Sequence, residues 1–426
     1  MHKIERLLHT LAPKGVGFKT LEEVFEIKNG YTPSKNNPEF WKNGTIPWFR
    51  MEDIRENGRI LKDSIQHITP KALKGKKLFP KNSIIISTTA TIGEHALLIV
   101  DSLANQRFTF LSKKANCDIA LDMKFFFYQC FLLGEWCKKN TNVSGFASVD
   151  MTAFKKYKFP IPPLEIQQEI VKILDAFTEL NTELNTELNA RKKQYEYYQN
   201  MLLDFNDINQ SHKDAKEKLA QKPYPKRLKT LLHTLAPKGV EFRKLGEVCE
   251  ILDNRRIPIA KNKRNPGIYP YYGANGIQDY IDNYIFDGDF VLVGEDGSVI
   301  NKDNTPVVNW ASGKIWVNNH AHVLQTKNEL KLKFLYFYLQ TIDISYCVAG
   351  TPPKINQENL KKITIPIPPL EIQQEIVKIL DQFSALTTDL LAGIPAEIKA
   401  RKKQYEYYRE KLLTFKPLTP HKEVKA

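Results

Sequence analysis

The residues of this chain best suited to chemistry are an acidic pair and a histidine pair in its second half. Glu295 and Asp296 are adjacent in VGEDGSV, and neighbouring carboxylates of this kind can serve a nuclease. His320 and His322 in NNHAHV are two positions apart, so on a β-strand both would leave the same face and could bind a metal. A turn rich in Asp and Gly explains the acidic pair more simply, and no third ligand is evident near the histidines. We therefore expect no catalytic residue and no metal site.

Sequence motifs for catalysis are also missing. The chain contains no GxxxxGK[ST] phosphate loop, no GxGxxG after a strand, no HExxH and no GxSxG. Its five cysteines form no CxxC pair, which favours reduced, mostly buried thiols. We expect a binding protein without a cofactor of its own, and an enzyme of unrecognised type stays open as an alternative.

The charge of the chain favours a polyanionic partner. Lys and Arg number 62 against 48 Asp and Glu, which gives a formal net charge of +14 and an isoelectric point near 9.2. Basic side chains gain free energy by releasing counterions from phosphates, so nucleic acid is the first candidate, with a merely basic protein as the alternative. No apolar stretch has the length of a membrane span, and MHKIERLLHT lacks the features of a signal peptide, so we expect a cytoplasmic location.

Loops rich in Arg, Lys, Asn, Gln and Tyr are the candidates for contact with DNA. Arg pairs well with guanine, and Asn or Gln with adenine, in the major groove. The candidates are Lys35, Arg50, Thr88, Thr89, Gln106 and Arg107 in the first half, and Arg255, Arg256, Lys263, Arg264, Tyr272, Asn275, Asn319 and His320 in the second.

These loops lie in a duplicated framework. LLHTLAPKGV at 7–16 returns at 231–240, IPPLEIQQEIVKILD at 161–175 returns at 367–381, and ARKKQYEYY at 190–198 returns at 400–408. The segments between the first two blocks differ between the copies. Each insert has short β-rich runs, such as NSIIIST and GDFVLVG, followed by an apolar helical stretch, which predicts an α+β domain. The duplication suggests pseudo-twofold symmetry.

Each insert is followed by a predicted helical arm. Apolar residues recur at heptad spacing from Ile170 and Leu174, which predicts a coiled-coil helix from about Leu164 to about Phe205. Such a helix is roughly 60 Å long and needs a partner, which the second arm can supply in an antiparallel pair. Gly393 and Pro395 should kink or break that second arm. The alternative is that each helix covers only its own domain.

The first arm contains a tandem repeat. The sequence TELN occurs three times, at 178–181, 182–185 and 186–189. One more unit would lengthen the helix by about 6 Å and turn its end by roughly 40°. This helix could therefore act as a ruler between two DNA-binding domains, although an ordinary low-complexity helix surface would look the same.

The duplicated arms, the unlike inserts, the IPIPPLEIQQEIVKIL element and the TELN repeat together resemble the specificity subunit of type I restriction-modification enzymes. The insert segments NGYTPSKNNPEFWKNGTIPW and YPYYGANGIQDYID are similar to the family's target recognition domains. The resemblance implies two α+β target recognition domains separated by two long helices that pack as an antiparallel coiled coil. The predicted domains are 1–163, the first target recognition domain with a short N-terminal helix; 164–205, the first long helix; 206–240, a linker and the start of the second repeat; 241–369, the second target recognition domain; 370–415, the second helical arm, broken near 393–395; and 416–426, a C-terminal tail.

The resemblance also implies a function and partners. Each domain would bind one half of a split double-stranded DNA site, and the arms would set the gap between the halves. Two methylation subunits using S-adenosylmethionine, and restriction subunits using ATP and magnesium, would carry the catalysis. The arm residues expected to dock those subunits are Gln167, Gln168, Tyr195, Tyr198, Gln373, Gln374, Tyr405 and Tyr408. The alternative function is a stand-alone sequence-specific DNA-binding or architectural regulator.

Overall fold

The chain combines helices with largely antiparallel sheets, as the predicted α+β class requires. The computed structural model describes residues 2–142, 147–205, 222–297, 299–388 and 393–418. Residues 206–221 of the predicted linker segment and residues 419–426 of the predicted C-terminal tail lie outside these residues. Two compact units form: the first unit is Met1–Glu183 with Ile398–Ala426, and the second unit is Leu184–Glu397. The domain limits given above remain a prediction.

Helices open and close each half of the chain and form both arms. The helices are α1 His2–Leu11, α2 Leu21–Val24, α3 Met51–Asn57, α4 Met123–Lys139, α5 Met151–Lys155, α6 Leu164–Leu203, α7 Lys226–Leu235, α8 Leu245–Val248, α9 Leu332–Leu339, α10 Gln357–Lys361, α11 Leu370–Thr388 and α12 Ile394–Leu413. Short 3-10 turns cover Pro38–Phe40, Pro70–Leu73, Asp253–Arg255, Lys261–Lys263 and Ser345–Cys347.

The first unit is built around a five-stranded sheet of order β2-β9-β6-β7-β4. A three-stranded sheet β5-β3-β8 and the pairs β1-β12 and β10-β11 accompany it. The rings of Phe25, Phe126 and Phe159 pack on one another where β2, α4 and β12 meet in the core. The strands are β1 Gly17–Thr20, β2 Phe25–Asn29, β3 Ile46–Phe49, β4 Ile60–Leu61, β5 His67–Ile68, β6 Ser83–Ser87, β7 His95–Leu98, β8 Leu103–Ala104, β9 Phe108–Lys113, β10 Thr141–Asn142, β11 Ser148–Val149 and β12 Lys158–Ile161.

The second unit has a six-stranded sheet of order β14-β19-β17-β18-β15-β16 and the pair β13-β20. Its core includes the buried Phe334, Leu335 and Leu339 of α9, whose apolar face covers the sheet. The strands are β13 Glu241–Lys244, β14 Cys249–Ile251, β15 Pro266–Gly273, β16 Gly276–Ile281, β17 Phe286–Gly294, β18 Val308–Val317, β19 Ala321–Thr326 and β20 Thr364–Ile367.

The same strand pair leads into both arms. Gly17 pairs with Ile161 in β1-β12, and Glu241 pairs with Ile367 in β13-β20. The two prolines after each second strand cannot donate a backbone hydrogen bond, so the strand ends there and a helix begins. The repeated sequence blocks therefore form the same local structure twice.

The helix α6 runs without a break through the three TELN units. In the first unit the ring of Phe177 stacks on Tyr408 at 5.6 Å, and in the second unit Tyr198 stacks on Phe383 at 5.2 Å. The residue number of the contacted ring on the second arm falls as the residue number on α6 rises. This is the pattern of contacts in an antiparallel helix pair. In the second arm α11 ends at Thr388 and α12 begins at Ile394, and residues 389–392 lie outside the described part of the chain.

Candidate nucleic-acid interface

Four candidate residues of the first unit meet at one end of its central sheet. Because Ser87 and Phe108 are paired in β6-β9, the residues that follow β6 lie beside those that precede β9. The Thr88 N–H donates to the carbonyl of Arg107 at 3.2 Å. We call Thr88, Thr89, Gln106 and Arg107 the first loop edge.

The members of the first loop edge differ in exposure. Gln106 and Arg107 are exposed, and the Gln106 amide oxygen accepts a hydrogen bond from Thr32. Thr89 is half-buried, whereas Thr88 is buried and its hydroxyl bonds that of Thr109 at 3.0 Å. Gln106 and Arg107 can reach a partner. Thr88 is buried and instead holds the loop in place through its hydrogen bond to the Arg107 carbonyl.

The other two candidates of the first unit lie in its preceding loops. Lys35 is exposed. Arg50 is half-buried, with its guanidinium 5.9 Å from the Trp48 ring and 3.8 Å from Glu52. Lys35 can meet a phosphate directly, while Arg50 is held against its own domain.

The second unit has a loop edge at the same place in its sheet. Gly294 and Ala321 are paired in β17-β19, and the Glu295 N–H donates to the His320 carbonyl at 2.8 Å. Glu295, Asp296, Asn319 and His320 form what we call the second loop edge. Asn319 and His320 are exposed, and the His320 ring bonds the carboxylate of Asp296.

The adjacent arginines have different environments. Arg255 is exposed, and its guanidinium lies 4.8 Å from the Phe286 ring and donates to the Ile285 carbonyl at 3.1 Å. The side chain of Arg256 is only 11% exposed, and it donates to Glu295 at 2.6 Å. Ion pairing inside the domain makes Arg256 unsuited to contact bases, so the sequence-based proposal for this residue does not fit its position.

The remaining candidates of the second unit lie near the β15-β16 hairpin. Lys263 and Asn275 are exposed. Arg264 lies 4.1 Å from the Tyr271 ring and 3.3 Å from Asp279, and the Tyr272 side chain is buried. Since β-strand pairing places Tyr272 beside Val317, this residue supports the hairpin from inside. Lys263 and Asn275 are the accessible members of this set.

Sequence reasoning missed a basic cleft in the first unit. It has a volume of about 710 Å³ and is lined by Arg55, Arg59, Lys138 and Thr141, among others. Arg59 is paired with Glu94 at 2.6 Å, which leaves Arg55 as the exposed cation of α3. The short MEDIREN segment carried no periodicity from which this placement could have been predicted.

Sequence reasoning also missed the surroundings of His322. Asp253, Glu295 and His322 bring ligand atoms within 4.8 Å of one another, a geometry that could hold a cation. Arg256 and Lys354 already pair with Glu295, at 2.6 and 3.2 Å. A divalent ion would have to displace both cations, so the group is better described as a charge network.

Two of the predicted docking residues are buried connectors. The Gln167 amide donates to the carbonyls of Ala120 and Pro162 at 2.9 and 2.7 Å and accepts from the Asp122 N–H at 2.8 Å. Gln373 makes the same three kinds of bond, to Glu329, Pro368 and Lys331. Both side chains are fully buried, so they join the arm to its own domain and present nothing to a partner.

Replacing Gln167 with alanine should lower the stability of the first unit by about 1–3 kcal/mol, because three buried backbone groups lose their partner. Gln168→Ala is the matched control, since Gln168 is exposed and its loss should change stability by less than about 0.5 kcal/mol. Thermal unfolding of both variants measures the difference. Equal melting temperatures for the two would contradict the structural role.

The side chains of the predicted docking tyrosines point towards the paired helix of the other arm. Tyr195, Tyr198, Tyr405 and Tyr408 are half-buried, and burial raises the pKa of Tyr195 well above its usual value. The exposed residues of the arms instead include Gln168, Gln374, Tyr197 and Tyr407, the two tyrosines being 56% and 58% exposed. Heptad spacing from Ile170 and Leu174 reaches Tyr198 and Tyr195 and passes over Tyr197, so the sequence already indicated which of these rings face the partner helix.

Comparison with known proteins identifies this repeated architecture. The family "Type I restriction modification DNA specificity domain" matches residues 13–193 and again residues 237–400, more than half of the chain. The chain belongs to this family. The EcoprrI type I restriction enzyme specificity subunit of Escherichia coli is 41% identical over 385 residues, covering 87% of this chain and 88% of that protein. The predicted resemblance to type I specificity subunits is confirmed.

Solved structures from type I restriction-modification systems share the fold. The S subunit of a type I restriction-modification system from M. genitalium has a TM-score of 0.55 at 15% identity, covering 94% of this chain and 96% of that one. A chain from work on complex assembly and conformational transition of the type I R-M system has a TM-score of 0.57 at 17% identity, covering 95% and 98%. Among the described residues of this family member, no helix has the length and apolarity to cross a membrane.

Proposed function

We propose that this type I specificity protein reads a bipartite double-stranded DNA site, one half with each loop edge. The observation that carries the proposal is the repetition of one sheet-end geometry with different exposed side chains. Gln106 and Arg107 stand where Asn319 and His320 stand in the other unit. Side chains of these types bond base edges in the major groove, so two unlike edges would read two unlike sequences.

The basic charge of the chain supplies the sequence-independent part of binding. Exposed Lys35, Arg55 and Lys263, which lie in a loop, on α3 and in a 3-10 turn, can neutralise phosphates. Phosphate contacts fix the position of a protein on the duplex without carrying sequence information. Affinity for any DNA should therefore fall with salt, while discrimination between sequences depends on the loop edges.

The arms set the gap between the half-sites and dock the methylation subunits. α6 is unbroken over 40 residues, which is roughly 60 Å, and can hold a fixed spacing. The outward Tyr197, Tyr407, Gln168 and Gln374 occur at repeated positions on the two arms. Exposed tyrosines are common anchors of protein interfaces. The partners would supply adenine methylation with S-adenosylmethionine, and ATP- and magnesium-dependent cleavage through restriction subunits.

Replacing Arg107 with alanine should weaken discrimination at the first half-site by about 1–3 kcal/mol and leave the second half-site unchanged. The charge-matched control is Lys114→Ala, because Lys114 follows β9 at the end opposite to Arg107. Competition binding with duplexes substituted in one half at a time measures both effects. Equal loss at both halves would contradict the assignment of one edge to one half-site.

Reconstitution with methylation subunits tests the proposed function itself. The full complex should methylate adenines only in DNA that carries both half-sites at the correct gap. Methylation without sequence preference would overturn the proposal. Tight specific binding by the chain alone, with no complex formed, would favour the stand-alone regulator instead.

A further inference from the structure

A buried charge network lies directly beneath the second loop edge. Its members are Asp253, Arg256, Glu295 and His322, whose side chains are 9%, 11%, 14% and 1% exposed. The carboxylates of Asp253 and Glu295 carry two negative charges, and Arg256 supplies one positive charge. A second positive charge among the buried groups is therefore needed to balance them. Lys354 also pairs with Glu295, but its side chain is half exposed and water screens its charge.

The hydrogen bonds of His322 require the second charge to be on its ring. Its Nδ1 lies 2.6 Å from the Asp253 carboxylate, and its Nε2 lies 2.8 Å from the Ile355 carbonyl. A carbonyl accepts only, and so does an ionised carboxylate. Burial alone would raise the pKa of Asp253, but the hydrogen bond from His322 and the charges of His322 and Arg256 hold it below its usual value. Both ring nitrogens must therefore donate, which only the imidazolium form can do.

The equivalent positions of the first unit hold neutral groups. Strand pairing aligns Asn29 with Asp253, Thr88 with Glu295 and Thr109 with His322, since each set occupies the same ends of equivalent strands. The isolated bridges agree with this alignment, because Thr89 pairs with Ser148 as Asp296 pairs with Lys354. The Thr109 hydroxyl donates to Asn29 at 3.1 Å and bonds Thr88 at 3.0 Å. One sheet end is thus joined by uncharged groups and the other by ions.

The ion network connects three segments of the second loop edge. His322 holds Asp253, which begins the turn that carries Arg255, and it holds Ile355, whose N–H donates to the Glu295 carbonyl at 2.8 Å. Loss of one proton from the ring would remove one of these two bonds. The turn at 253–255 and the segment at 349–355 would then be less firmly fixed around Asn319 and His320.

We propose that His322 is a positioning residue that makes recognition by the second loop edge sensitive to pH, while recognition by the first is not. The sign follows from the hydrogen bonds: the ordered edge is present when the ring carries both protons and is weakened as pH rises and one proton leaves. The first unit also contains the buried His95, but burial first, and then the charge of Arg59, lowers its pKa to about 3, so it stays neutral throughout the relevant range. The predicted effect on DNA binding rests on the proposed function, whereas the predicted protonation of the His322 ring does not.

The groups facing His322 define the controls. Asp253 and Gln357 approach from the 3-10 turn and α10, Glu295 and Arg256 lie beside the ring, and Lys354 reaches Glu295 from the facing loop. The exposed His320, paired with Asp296, also lies at this edge. A His320→Gln variant must therefore keep the pH dependence if His322 causes it.

Nitrogen NMR of the intact chain tests the ring directly. In a long-range proton-nitrogen spectrum of the ¹⁵N-labelled protein, the His322 signals are assigned by their loss in His322→Gln. Both ring nitrogens should have imidazolium shifts at neutral pH. A neutral ring with one unprotonated nitrogen would overturn the inference, whatever DNA binding shows.

DNA binding tests the consequence. Affinities for the cognate duplex and for duplexes substituted in either half are compared between about pH 6 and about pH 8.5. Discrimination at the second half-site should fall about tenfold across this range, and discrimination at the first should stay constant. An equal change at both half-sites, or none, would overturn the proposal and leave the proposed function standing. Absence of discrimination at every pH would instead count against the proposed function.

A transplanted network provides the matched variant. Asp253→Asn, Glu295→Thr and His322→Thr place the residues of Asn29, Thr88 and Thr109 at the equivalent positions. Arg256→Thr is added because Thr32 follows Asn29 by three residues, as Arg256 follows Asp253. After circular dichroism shows that it folds, this variant should discriminate at the second half-site without pH dependence. Persistence of the wild-type pH profile in it, or loss of that profile in His320→Gln, would contradict the role of His322. If the variant does not fold, the wild-type half-site comparison and the NMR experiment still decide.

Discussion

Replacing Leu413 with alanine should destabilise the first unit by about 2–5 kcal/mol, the usual cost of removing a buried leucine side chain. Leu413 ends α12, at the far end of the sequence, yet its side chain is 1% exposed in the core of the first unit. Its carbonyl accepts a hydrogen bond from the buried Gln129 at 3.0 Å. A loss of this size is a large part of the about 5–15 kcal/mol that stabilises an ordinary domain.

Backbone contacts also hold the residues that follow Leu413. The Val16 N–H donates to Lys416 at 3.0 Å, and the Leu418 N–H donates to Val16 at 3.1 Å. At Gly15 a Cβ would lie 2.7 Å from the Pro417 carbonyl oxygen, and its φ is +106°, so glycine permits this approach. These contacts fix the C-terminal segment against the first unit.

Calorimetry of Leu413→Ala and of its control, Lys411→Ala, measures the effect. Lys411 is exposed on the same helix, and its substitution should change stability by less than about 0.5 kcal/mol. Leu203→Ala gives the equivalent test in the second unit, because Leu203 is buried there in the same way. A Leu413 variant no less stable than the Lys411 variant would show that the C-terminal segment does not complete the first unit.

Inserting a fourth TELN unit after Asn189 should change the gap of the recognised DNA site and leave both half-sites unchanged. Four residues add about 6 Å and turn the end of the helix by roughly 40°. DNA advances about 3.4 Å and turns by about 35° per base pair, so the preferred gap should lengthen by about one to two base pairs. The repeat lies wholly within α6, and its Thr182 bonds the Thr178 carbonyl inside the helix, so an added unit continues the same structure.

Methylation of duplexes with graded gaps measures this change in a reconstituted complex. The original gap should lose most of its activity, and a longer gap should replace it. Thr186→Ala combined with Asn189→Ala is the control, because it changes the repeat sequence without changing the helix length. An unchanged gap after insertion, or a changed half-site sequence, would contradict the proposal that the length of α6 sets the gap.

The features of the fold that the sequence predicted correctly come from periodic or duplicated patterns. Heptad spacing predicted a helix from about Leu164, and α6 begins at Leu164. The alternation of β-rich runs and apolar helices predicted the α+β class. The polar loops also contained Gln106 and Arg107, which lie together with Thr88 at one sheet end because strand pairing brings them there.

The sequence could not show which polar residues would be buried and hydrogen-bonded within their own domain. Gln167 and Gln168 are adjacent and chemically identical, yet one is buried with three bonds and the other is exposed. Arg255 and Arg256 differ in the same way. Such choices depend on carboxylates and carbonyls brought close by long-range packing, which local spacing does not encode.

The packing of the C-terminal segment was likewise not predictable from periodicity. An apolar helix face indicates that a helix packs, but it does not identify its partner. The stacked pairs of Phe177 with Tyr408, and of Tyr198 with Phe383, use equivalent residues of the two copies in exchanged roles. Each unit is therefore completed by the end of an arm that follows the other insert.

Methylation mapping across a host genome shows whether this chain determines which DNA sequence is methylated. Genomic DNA is compared between cells that carry the methylation subunits with this chain and cells that carry them without it. We expect methylated adenines in one bipartite motif, with two different half-sites at a fixed gap, only where the chain is present. A single contiguous motif, or an identical methylation pattern in both cells, would contradict it.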